Sequence, residues 1–67
     1  MTKQLTISDV KKMLEIDNIG YTIIAYEYGF LLEYKNIYGT EVKYYFNQEG
    51  HYMYPTEENL NTLGKKI

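Results

Sequence analysis

The chain has 67 residues, a formal net charge of −2, one histidine and no cysteine. A chain of that length is a single small domain, residues 1–67, burying only about 60% of the surface it exposes when unfolded. The missing cysteines exclude disulfides, a thiol nucleophile and a thiolate zinc site, and a lone histidine excludes a histidine metal cluster.

No charged-then-apolar leader opens the chain, and no apolar run approaches the length of a membrane span. A cytoplasmic protein without membrane contact is therefore expected. All seven basic residues are lysine. The enrichment in Tyr, Ile, Asn, Lys and Glu points to an AT-rich source such as a phage or mobile element.

Residues 7–18 read as a first helix. Thr6 or Ser8 can cap it, and Asp9 puts a negative charge in the first turn, where the helix dipole favours it. Val10, Met13, Leu14 and Asp17 follow helical spacing, extended by Leu5 and Ile7, with Lys11, Lys12 and Glu15 opposite. This stripe is a core face rather than a partner site. Asn18 and Gly20 stop the helix.

Four strands follow, over about 21–27, 30–36, 40–47 and 51–54. Their connections are the most informative part of the chain. Asn36-Ile37-Tyr38-Gly39 and Asn47-Gln48-Glu49-Gly50 have one form. Asn at the first turn position bonds the backbone ahead of it, and Gly at the fourth accepts the left-handed conformation that closes a bulged hairpin. Asn36 should then pair with Thr40, and Asn47 with His51. Glu27-Tyr28-Gly29-Phe30 suits a tighter turn centred on Tyr28-Gly29.

These turns set a register that can be tested against itself. Tyr34 falls opposite Val42, Leu32 opposite Tyr44, Phe30 opposite Phe46, Phe46 opposite Tyr52 and Tyr44 opposite Tyr54. The Tyr28-Gly29 turn sets Leu32 against Ala25 and Tyr34 against Ile23. On the other face Lys35 meets Glu41 and Glu33 meets Lys43, pairs worth roughly 0.2–1 kcal/mol each. Three turns chosen on local grounds thus agree on one core face.

After Pro55, Thr56 is an N-cap with Glu57 and Glu58 in the first turn, and Gly64 suits the position after a helix over about 57–63. So short a helix forms only if Leu60, Leu63 and Ile67 dock on the sheet. The expected fold class is α+β: an N-terminal helix, a four-stranded antiparallel meander and a short C-terminal helix, α-β-β-β-β-α, with both helices on one face.

That arrangement leaves the second sheet face open. The register aligns Tyr26, Leu31, Tyr45 and Met53 in one row, with Ile24 a row along, and such a row exceeds the scattered apolar residues of an ordinary surface. Catalysis has no comparable support: His51 lies at a turn as a solvated residue, and Glu27, set beside Phe30 on the helix-facing side, has no second convergent polar group. No cofactor, metal or enzymatic activity is expected. A tyrosine-bearing sheet could stack single-stranded nucleic acid. Against that, Lys35 and Lys43 each face a glutamate and no arginine is present to fork onto bases.

The expectation is a non-catalytic protein-binding module, a small regulator or inhibitor from a phage or mobile element acting on a larger host protein. Its contact residues would be Ile24, Tyr26, Leu31, Tyr45 and Met53. The alternatives are a single-stranded nucleic-acid-binding domain and a homodimeric structural protein.

Overall fold

A computed structural model describes residues 4–67. The first helix, α1, spans Ile7–Ile16 and begins in a capping box: Thr6 Oγ1 accepts from the Asp9 N–H, and Asp9 Oδ2 accepts from the Thr6 N–H. Its end is equally defined. Asn18 takes the left-handed conformation at φ 58°, the Ile19 N–H donates to the Leu14 carbonyl and the Asn18 N–H to that of Glu15. This is a Schellman stop with Asn in the place usually held by Gly. It ends the helix two residues short of the expected 18.

Strands β1 (Tyr21–Tyr26), β2 (Gly29–Lys35), β3 (Glu41–Asn47) and β4 (Tyr52–Met53) form one antiparallel sheet in chain order. The β2–β3 register is the expected one, with Phe30 opposite Phe46, Leu32 opposite Tyr44 and Tyr34 opposite Val42. Phe46 also faces Tyr52 across β4. The β1–β2 register is not. Tyr34 faces Tyr21 and Leu32 faces Ile23, a shift of two residues, and the two turn residues are Glu27 and Tyr28. Gly29 is a strand residue, held there by crowding: a Cβ at this position would overlap Leu63 Cδ2 and the Phe46 carbonyl oxygen. A two-residue slip preserves the faces but changes the rows. Ile24, not Tyr26, therefore stands beside Leu31, Tyr45 and Met53, and Glu27 leaves the helix-facing side for the turn.

The main core lies between α1 and one sheet face. Val10, Leu14, Leu32 and Phe46 are buried together, ringed by Ile7, Ile19, Tyr21, Phe30, Tyr34, Tyr44 and Tyr52. Burying each of those four side chains contributes roughly 1.5–3 kcal/mol relative to leaving it in water. Tyr44 anchors the aromatic part, stacking with Tyr34 at 6.3 Å and meeting Tyr52 edge-on at 5.9 Å.

Each end of the described chain lies along a sheet edge. The Tyr52 N–H donates to the Leu5 carbonyl and the Ile7 N–H to that of Gly50, so the segment before α1 flanks β4. At the far edge the Glu27 N–H donates to the Lys65 carbonyl and the Ile67 N–H to that of Ala25, which lays residues 65–67 antiparallel against β1. Glu27 Oε1 tightens this strap by accepting from the Lys65 N–H at 2.7 Å.

The strap overturns the expectation that both helices share one face. Helix α2 (Glu57–Asn61), capped by Thr56 Oγ1 on the Asn59 N–H, follows β4 at one edge, whereas the strap lies at the other. Leu63 sits over Gly29, on the side that also carries Leu31, and is buried at 2% exposure outside the α1 core. Residues 54–64 therefore cross the second face. The physical reason is room: α1 already fills the first face, and Gly29 supplies the notch that takes Leu63.

Candidate functional site

The five residues expected to bind a partner all lie on the second face, as their alternation requires. That face is not open. Leu31 is only 5% exposed, and Ile24, Tyr26, Tyr45 and Met53 are half-buried. The row Ile24–Leu31–Tyr45–Met53 and the adjoining Tyr26 form the floor on which the C-terminal segment runs. Glu27 has a structural use as the anchor of that segment, and His51 pairs its backbone with Thr6 and Asn47. Lys35 stands opposite Glu41 and Lys43 opposite Glu33, as expected.

The exposed apolar groups lie elsewhere. The loop from Asn36 to Thr40 and the loop from Asn47 to His51 are built alike. Asn36 Oδ1 accepts from Tyr38 N–H at 2.9 Å and Thr40 N–H at 3.0 Å, and Asn47 Oδ1 accepts from Glu49 N–H at 2.9 Å and His51 N–H at 3.0 Å. Each loop closes through a left-handed glycine, Gly39 at φ 80° and Gly50 at φ 82°. The two tip positions hold Gln48 and Glu49 in one loop and Ile37 and Tyr38 in the other. Ile37 is 83% exposed and Tyr38 84%. Since the same turn accepts a polar pair, its geometry does not demand these apolar side chains. Sequence reasoning recognised both turns and passed over their tips; the signal was the mismatch between two otherwise matching runs.

Beside this tip lies an open concavity of about 610 Å³, lined by Ile19, Tyr21, Tyr34, Ile37 and the charged Glu33, Lys35 and Glu41. The concavity and the tip share one end of the sheet, because Tyr21 opening β1 pairs with Tyr34 near the close of β2. The Tyr21 hydroxyl donates to Glu15 Oε2 at 2.8 Å; that bond, then desolvation and the negative charge of Glu15, raises the phenol above its ordinary 10.0. Tyr34 is raised from 10.0 chiefly by burial, then by Tyr44. Both phenols are neutral donors at physiological pH. The end of the molecule thus offers a protruding apolar knob and an adjacent hollow of mixed polarity.

Compared with known families, curated proteins and solved structures, the chain matches none. Among the described residues no helix is long and apolar enough to cross a membrane.

Proposed function

We propose that this protein is a non-catalytic protein-binding module, a small regulator or inhibitor that acts by occupying a surface of a larger partner. The observation that carries the reading is the exposure of Ile37 and Tyr38 on a turn whose twin holds Gln and Glu in the same places. Leaving a large apolar side chain in water forfeits roughly 1.5–3 kcal/mol that burial would return. Two of them side by side on a hydrogen-bonded turn, with a hollow alongside, suit an anchor that enters a partner's pocket while the partner fills the hollow. The row Ile24–Leu31–Tyr45–Met53 serves this reading less well, because the chain's own C-terminal segment lies across it. The AT-rich composition suits a phage or mobile element acting on a host protein.

The test grafts one tip onto the other. Ile37→Gln with Tyr38→Glu gives the Asn36 loop the tip of the Asn47 loop. Capture from cells of the native host, run with wild type, the graft and Tyr45→Glu, should yield a partner that the graft loses and Tyr45→Glu keeps. A partner held equally by wild type and graft removes the tip from the interface. One lost only by Tyr45→Glu, with that variant's circular dichroism unchanged, moves the interface to the second face.

A further inference from the structure

We infer that the open part of the β1 edge, Tyr21–Ile24, pairs with the same segment of a second copy of this chain, a surface separate from the Ile37–Tyr38 tip. The strap shows which backbone groups face outward. Ala25 and Glu27 bond residues 65–67, so by alternation Ile23 and Tyr21 point their N–H and C=O groups the same way. Among the described residues, those outward groups of Tyr21 and Ile23 have no backbone partner. The β4 edge is covered by the segment Leu5–Ile7, whereas the β1 edge is covered along half its length.

Nothing along that half guards it. Tyr21-Thr22-Ile23-Ile24 contains no charge and no proline, and Thr22 and Ile23 are exposed, Ile23 at 39%. Natural edges are normally blunted by lysine, proline, a bulge or a covering segment. A bare backbone edge is satisfied by another extended backbone, and a second copy fits this one by symmetry. With Thr22 on a two-fold axis, Tyr21 of one copy opposes Ile23 of the other, and each N–H meets the other copy's C=O. The rotation leaves Tyr21 and Ile23 on the α1 side, so aromatic packs on β-branched twice. The ladder also stops where it must. The second copy's Gly20 would oppose Ile24, and its Ile19 turns into the α1 stop before meeting the strap residue Ile67 beside Ala25. The free length of β1 and the usable length of its partner coincide.

Thr22 on the axis is a non-hydrogen-bonded pair, with Cα atoms about 4.5 Å apart, within the range a disulfide spans. Since the chain has no cysteine, Thr22→Cys introduces a single one. Under oxidised glutathione, which accepts the two electrons released, Thr22→Cys should cross-link to a dimer at least tenfold faster than Thr62→Cys, an exposed control. Sedimentation of the wild type from about 10 µM to about 1 mM should show a concentration-dependent dimer. In the same range the Tyr21 and Ile23 amides should gain exchange protection. Ile23→Lys should stay monomeric with an unchanged circular dichroism spectrum, and the Ile37→Gln, Tyr38→Glu graft should still dimerise. A monomer throughout with both amides exchanging freely, or equal cross-linking by the two cysteine variants, overturns the proposal. So does a dimer lost in the graft but kept in Ile23→Lys, which would assign self-association to the tip.

Discussion

The turn from Asn36 to Thr40 and the turn from Asn47 to His51 have the same hydrogen bonds and the same left-handed glycine, but different surroundings. Gly50 is buried, with Ile7 Cγ2 3.2 Å from where its Cβ would be, and its carbonyl holds the start of α1. Gly39 has nothing within 4 Å, and both residues at the tip between Asn36 and Gly39 are exposed. One turn is a structural joint and the other a free end. A motif read from sequence gives the path of the backbone, and its contacts decide whether the side chains on it serve the fold or face a partner.

That division makes unequal demands on matching substitutions. The largest losses should come from the glycines. Gly39→Ala should cost about 1–2 kcal/mol for the left-handed backbone alone. Gly50→Ala should cost roughly 1 kcal/mol more, because its methyl also meets Ile7. Urea denaturation measures both, and equal losses would erase the distinction. Next come the asparagines. Asn47→Ala strips a partner from the part-buried His51 N–H and should cost about 2 kcal/mol, whereas the N–H groups freed by Asn36→Ala are exposed and rehydrate, at about 1 kcal/mol.

The tips themselves should be nearly silent. Ile37→Gln with Tyr38→Glu should leave stability within about 0.5 kcal/mol of wild type, since neither side chain is packed. A larger loss would mean that the knob belongs to the fold after all.

The smallest effect is spectroscopic and concerns the free end. Tyr21 and Tyr34 are both raised from 10.0, so the native state favours their neutral forms. Their contribution to stability is complete below 10.0 and is lost as pH rises through the native values. The urea midpoint should therefore fall on crossing into that range, and Tyr21→Phe should weaken the fall. Absorbance titration of phenolate should show the same two residues ionising later than a free tyrosine.

Much of this was legible because it is local. Asn36, Gly39, Asn47 and Gly50 define their loops within five residues, and the β2–β3 and β3–β4 registers follow from them without further information. Thr6 with Asp9, and Thr56 ahead of two glutamates, mark helix starts for the same reason. The β1–β2 register failed because Gly29 reads locally as a turn glycine, while its real constraint is Leu63, far along the chain. The side taken by residues 54–64 was hidden for a related reason. Ile24, Leu31 and Tyr45 alternate as an apolar face would, and alternation does not say whether the cover is a partner or the chain itself. Ile37 and Tyr38 were in plain view, but a turn rule attends to Asn and Gly and is indifferent to what lies between.

The strap that joins Lys65 to Glu27 has a consequence in time. A contact spanning 38 residues carries a large loop-closure entropy, whereas the meander forms from neighbours. The three hairpins can therefore be in place in the folding transition state while the strap is still free, leaving the second face and the whole β1 edge bare until Leu63 reaches Gly29. Leu63→Ala should then accelerate unfolding by about 30-fold or more and scarcely alter the folding rate. Until the strap docks, the outward N–H and C=O groups of Ala25 and Glu27 stay in water beside those of Tyr21 and Ile23, so the bare edge runs the whole length of β1.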